Sequence, residues 1–236
     1  MTEEPPGAEN SEAASVTAVS QLEPLVREPT ASVIARRIRE AIAMGTLPPG
    51  TQLTEIPLAR QLGVSRAPIR EALQRLIQEG LAENRRRGVF VRELSDDDIV
   101  DVYFARTACE LTAIRRILDQ STEVDWYPLE AALRDLKVAA RNGDWDAATV
   151  ADRRFHEAIV AAANSPRLTR MFKTLMVETA MCLRALERAY TDAEHLVQEH
   201  REILDALQAG DREASVSALR AHMDDAVERL IRGEPM

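Results

Sequence analysis

The sequence predicts a mainly α-helical protein: a winged helix-turn-helix on the N-terminal side, followed by an antiparallel, all-helical bundle of six to seven helices. Three observations carry that reading. Apolar residues recur at three- and four-residue spacing along most of the chain. Residues 54–91 break the rhythm with glycine turns and two short extended runs. Aromatics make up only 4% of the 236 residues while Ala, Leu, Arg and Glu abound, a balance that favours helix.

Composition bounds the rest. Apolar residues at 45% and charged residues at 29% are ordinary for a globular protein and exclude a disordered or fibrous one. Cys109 and Cys182 stand alone, so no disulfide framework or zinc ribbon can be built, and a reducing compartment is expected. No run of eighteen apolar residues exists, which excludes a membrane-spanning helix. The acidic, polar start lacks the basic and apolar regions of a signal peptide, so the expected location is the cytoplasm. Nearly all positive charge is on arginine, with Lys137 and Lys173 the two lysines.

Charge divides the chain into three parts. Residues 1–29 carry a net −5 and mix Pro, Gly, Ser, Glu and Ala without periodicity, as a flexible tail does. Residues 30–92 carry eleven Arg against five Glu, a net of +6. Residues 93–236 carry a net −10. A basic module fused to an acidic one fits a polyanion reader attached to something else.

The first helix starts at Thr30, with Val33, Ile34, Ile38, Ile42 and Leu47 on one face and Arg36, Arg37 and Arg39 on the other. Gly45 and Pro48-Pro49-Gly50 end it. Thr54 can cap a short second helix with Pro57 in its first turn. Ala59 and Gly63 permit a tight turn, and Ser65 then caps a third helix with Pro68 in its first turn. Leu58, Leu62, Val64, Ile69, Ala72, Leu73 and Leu76 form one apolar surface, the pattern of a helix-turn-helix. Gly80 stops the third helix. The segment LAENRRRGVFVREL then reads as two extended runs around Arg85-Arg86-Arg87-Gly88, a hairpin with a basic tip like a wing.

Past the wing, Ser95 followed by Asp96, Asp97 and Asp98 is a helix start with acids suited to the helix dipole. Apolar spacing and breakers predict helices over 95–118, 124–141, 144–163, 167–190, 192–209 and 211–232, with joints at Gly143, Asn164–Pro166 and Gly210. All four histidines lie here. Asp152 and His156, four apart, share one helix face. His200 and His222 fall on two later helices that Gly210 can fold side by side. These four side chains can converge on a cation. Three imidazoles and a carboxylate suit a divalent metal ion: zinc first, with nickel or manganese as alternatives. A D-x-x-x-H pair also occurs by chance, with the histidine a plain polar residue.

Two resemblances join these readings. GVSRAPIREALQRLIQEGL (residues 63–81) closely resembles the signature of the GntR family, and the likeness runs from about Val33 to Val91. It implies that Ser65, Arg66, Ala67 and Arg70 open a recognition helix. There Arg66 and Arg70 would reach guanine edges and Ser65 would hold a phosphate. Arg86, Arg87 and Gly88 would bring the wing to the minor groove. Ile56 stands where some relatives carry a basic residue, which leaves one contact open. YFARTACE, NGDWDAATVADRRFHEAIVAAANSPRL and EHREILDALQAGDREASVSALRAHM are similar to the FadR-type C-terminal effector domain, the FCD class. That resemblance implies that Asp152, His156, His200 and His222 are metal ligands and that Arg106 faces an effector cavity. It also matches Asn164 to a family asparagine, with a helix cap as the equal alternative for that residue. His195 matches no ligand position.

The implied protein is a metabolite-responsive transcriptional regulator, a repressor by family default. As a homodimer it would bind a palindromic double-stranded DNA operator and sense a small carboxylate effector at the metal. A metal-responsive regulator, with the ion as signal, is one alternative. A metal-dependent hydrolase is another, but no general-base or nucleophile motif such as G-x-S-x-G accompanies the histidines.

Overall fold

The computed structural model describes residues 28–120, 123–186 and 193–232. The expected tail falls almost wholly outside them, as do residues 187–190 of the predicted fourth bundle helix.

The N-terminal unit opens with α1 (Thr30–Ala43), which buries Ala31, Ile34, Ala35, Ile38 and Ile42 along one face. Val33 is only half-buried, and Leu47 packs on the same core from beyond the helix end. The helix-turn-helix follows as α2 (Glu55–Leu62) and α3 (Arg66–Gln78). Gly63 joins them in the left-handed conformation (φ 65°), where a side chain would be strained. Ile69, Ala72, Leu73 and Leu76 point from α3 into the core. Thr54 and Ser65 occupy the cap positions but make no side-chain cap hydrogen bond.

The wing is an antiparallel hairpin of β1 (Ala82–Arg85) and β2 (Gly88–Val91), paired Ala82 to Val91 through Arg85 to Gly88. Arg86 and Arg87 form its two-residue tip. A strip at residues 51–53 borders β2, with Leu53 N–H donating to the Val89 carbonyl and a bridge between Gln52 and Phe90.

Six bundle helices follow among the described residues: α4 (Asp96–Asp119), α5 (Tyr127–Asn142), α6 (Trp145–Ala162), α7 (Pro166–Leu186), α8 (Ala193–Gln208) and α9 (Arg212–Arg232). Ser95 caps α4 through a reciprocal box: the Asp98 N–H donates to Ser95 Oγ, and the Ser95 N–H donates to the Asp98 carboxylate. α4 packs on α6, α7 and α9; α5 packs on α6 and α8; α8 packs on α9. Ile114, Leu129, Phe155, Ile159, Ile203 and Leu219 form the centre of the core, fully buried. Burying each such side chain contributes roughly 1.5–3 kcal/mol.

α7 serves both units. Phe172, Met176 and Cys182 lie in the bundle core, whereas Val177, Ala180 and Met181 enter the core of the winged helix, where α7 meets α1. Arg92, at the exit of the wing, pairs with Asp98 in the first turn of α4. No helix of the described residues is long and apolar enough to cross a membrane.

Candidate functional site

Two groups of side chains stand out, one on the surface of the winged helix and one inside the bundle. On the first, Arg66 and Arg70 sit one turn apart on α3, both well exposed. Ser65 and Ala67 flank Arg66 at the helix start, also exposed. Arg86, Arg87 and Gly88 form the exposed wing tip, where Gln52 Nε2 donates to the Arg87 carbonyl at 2.7 Å. The residues expected to face a duplex thus lie on the open surface of two neighbouring elements. Glu71 pairs with Arg75 along the helix, a local role.

Inside the bundle, Asp152 and His156 project from α6, His200 from α8 and His222 from α9. All four are buried, and each offers a ligand atom within 4.8 Å of the others. His200 Nε2 lies 3.1 Å and His156 Nε2 3.7 Å from Asp152 Oδ1. The imidazoles are held from behind. His156 Nδ1 meets Glu110 Oε2 at 2.6 Å, His200 Nδ1 meets the Leu196 carbonyl at 2.8 Å, and His222 Nδ1 meets Glu199 Oε2 at 3.3 Å. A neutral imidazole that donates from Nδ1 keeps its Nε2 lone pair for the centre.

Three buried atoms at that centre lack a hydrogen-bond partner among the described residues: Asp152 Oδ2, His156 Nε2 and His200 Nε2. Each such atom costs about 1–3 kcal/mol, and a divalent cation would satisfy all three at once. Electrostatics agree with that donor set. Burial opposes ionisation of Asp152, but the adjoining His200 and His156 imidazoles and the Arg106 guanidinium hold its carboxyl far below the usual range. Burial and the Arg106 charge push His156 well below its ordinary value, so its imidazole is neutral at neutral pH, the form that can bind a cation.

Arg106 stands behind this group, 1% exposed, with Nε donating to Glu110 Oε1 at 2.9 Å. Its Nη2 and the Tyr103 hydroxyl have no partner among the described residues, and its guanidinium stacks over the Tyr103 ring. Burial pushes Glu110 up to about 7 against the pull of Arg106. Arg106, Glu110 and His156 therefore form one continuous buried chain. A groove of about 580 Å³ between α4 and α9 reaches Tyr103 beside Phe104, Leu111 and Met223, and none of Asp152, His156, His200 and His222 lines it.

Asn164 is not brought to this group. It is exposed just past α6, takes a left-handed backbone (φ 50°), and donates to Gln120 Oε1 at 3.4 Å, the geometry of a helix end. His195 lies outside the buried four, on the exposed side of Glu199. Sequence reasoning missed Glu110, Glu199 and Tyr103. Arg106 and Glu110 did leave a signal, an i,i+4 ion pair on the buried apolar face of α4.

Comparison with known proteins places these features. The N-terminal region matches the family described as bacterial regulatory proteins, gntR family, over residues 30–91, and the FCD domain matches over residues 101–225. Among curated proteins, the Probable D-xylose utilization operon transcriptional repressor of Paenarthrobacter nicotinovorans is 33% identical, with 84% of this chain and 88% of that one covered. The gluconate operon transcriptional repressor of Bacillus licheniformis is 30% identical, with 85% of each covered. Among solved structures, a GntR transcriptional regulator of Rhodococcus sp. RHA1 superposes with a TM-score of 0.74 at 28% identity, covering 86% of this chain and 97% of that one. E. coli McbR/YncC superposes with a TM-score of 0.76 at 26% identity, covering 88% and 99%.

Proposed function

The chain belongs to the GntR family of transcriptional regulators, with an FCD domain behind its winged helix, and from that premise we propose that it is a metabolite-responsive repressor with a metal-dependent sensor. Residues 30–92 are the DNA-reading domain and residues 93–236 the sensing and dimerisation domain of a cytoplasmic homodimer on a palindromic operator. Arg66 and Arg70 read guanine edges, Ser65 and Ala67 seat the helix start against the backbone, and Arg86, Arg87 and Gly88 follow the minor groove. Asp152, His156, His200 and His222 hold a divalent cation, zinc by its preference for imidazole and carboxylate. Bound there, the cation supplies a Lewis-acidic position for one carboxylate of a small organic acid. Arg106 offers a planar fork to another of its oxygens.

The observation that carries the sensor is the set of three unpartnered, buried ligand atoms beside Asp152. Its route to the DNA is α7, which packs on α4, α6 and α9 and enters the winged-helix core. An effector that prefers one packing of these helices shifts the population of winged-helix positions. A coupling of about 1–3 kcal/mol gives roughly 5- to 150-fold control of operator binding.

The test combines metal analysis with operator binding. Wild-type protein should carry one equivalent of metal per chain, and the double variant His156→Ala, His200→Ala should carry none. Arg106→Lys, which keeps the charge and loses the fork, should bind operator normally and lose its response to a panel of hydroxy, keto and dicarboxylic acids. Full metal content in the double variant overturns the ligand set. The near-complete enclosure of the four ligands favours a second reading, in which the ion itself is the signal. In that case metal alone, without any acid, would change operator affinity.

A further inference from the structure

Arg66 and Arg70 are not free on the surface of α3. Glu55, in the first turn of α2, reaches across the Gly63 turn and takes both. Arg66 donates from Nε and Nη2 to Glu55 Oε2 at 3.1 and 3.0 Å. Arg70 donates from Nε to Oε1 at 2.9 Å and from Nη2 to Oε2 at 3.1 Å. One carboxylate thus receives four hydrogen bonds from two guanidinium groups. The hydrogen bonds of Arg70 and Arg66 hold its carboxyl down to about 2, so it is ionised throughout the physiological range.

The wing is built differently. Arg85 is tied to Glu83 and Glu93, but Arg86 and Arg87 at the tip have no carboxylate within ion-pair distance among the described residues. Arginines that only grip phosphates need no orientation, whereas arginines that read a base edge do.

We propose that Glu55 is a specificity-determining positioning residue, a buttress that orients Arg66 and Arg70 for guanine. This rests on the reading of those two arginines as base contacts. Each guanidinium spends its Nε–Nη2 edge on Glu55 and keeps its Nη1 side open, the end that can pair with guanine O6 and N7. Two long side chains are ordered before the duplex arrives, which lowers the entropy lost on binding. The carboxylate also repels phosphates and cancels one of two positive charges at the helix start. It therefore weakens binding to DNA in general and favours sites where both arginines meet guanine.

The experiment uses full-length dimer and a duplex enriched from a randomised pool on the wild-type protein. Glu55→Gln keeps the shape and removes the charge. Its discrimination between the enriched duplex and the unselected pool should fall about ten-fold or more. The loss should be concentrated at the guanine positions that Arg66→Ala and Arg70→Ala also relax. Binding to the unselected pool should hold or strengthen, with a steeper salt dependence as freed arginines seek phosphates. Glu55→Asp, which keeps the charge on a shorter arm, should fall between. Discrimination by Glu55→Gln within about two-fold of wild type, or an equal loss on both DNAs with a lowered Tm, would falsify the buttress. If Arg66→Ala and Arg70→Ala leave base preference unchanged, the assignment of the recognition helix fails instead.

Discussion

Glu55 is half of a contact that packing does not require, because its two partners lie mostly in solvent. Its acidity is then a direct report of the arginine clamp. The folded carboxyl, at about 2, is more acidic than the ordinary value of 4.5. Its contribution to stability is therefore complete above about 4.5, the unfolded value, and is lost as pH falls toward about 2. Carboxyl-detected NMR of the folded protein should place the Glu55 midpoint near 2, and Arg70→Ala should move it up toward the ordinary range. A midpoint near 4.5 in the wild type would mean that the clamp does not persist in solution. Glu110 shows the opposite regime, where burial dominates and raises the carboxyl to about 7 against the pull of Arg106, whereas the imidazoles and Arg106 around buried Asp152 still hold its carboxyl low. An uncompensated charge in such a place costs about 3–5 kcal/mol, and buried Arg106 is accordingly paired with Glu110.

Elements end where their backbone chemistry says they should. Gly63, Gly143 and Gly210 all take left-handed conformations, at φ 65°, 64° and 70°. A methyl group at Gly63 would meet nothing within 4 Å, so only backbone strain opposes it. Gly63→Ala should therefore destabilise by about 1 kcal/mol, read as a lower urea midpoint with an unchanged m-value. A loss several times larger would mean that the turn moves with the substitution. The same chemistry made the helix boundaries legible. The spans 144–163 and 211–232 predicted from periodicity became Trp145–Ala162 and Arg212–Arg232. The strip at residues 51–53 was not legible, because a single bridged residue against β2 leaves no alternating pattern to find.

At the scale of the molecule, α7 makes the two units mechanically continuous. Met181, 7% exposed, lies in the winged-helix core although it belongs to a bundle helix. Met181→Ala removes that packing and should cost about 2–4 kcal/mol. Thermal unfolding should split from one transition toward two, and the effect of metal or acid on operator binding should shrink. Unchanged regulation in a destabilised variant would place the coupling elsewhere, the Arg92–Asp98 pair being another direct link.

The amino-acid order by itself determined what is local: the rhythm of the helices, the glycine turns, the Ser95 cap, the basic wing and the pairing of Asp152 with His156 on one face. These follow from bonds and contacts between residues three or four apart, which any helix of this sequence would make. Tertiary structure alone decided which carboxylates stand behind those groups. Glu110 meets His156 across 46 positions, Glu199 meets His222 across 23, and Glu55 meets Arg66 and Arg70 across 11 and 15. Such partners are set by how helices pack and where turns aim them, and side chains that far apart along a chain carry no periodic trace of meeting.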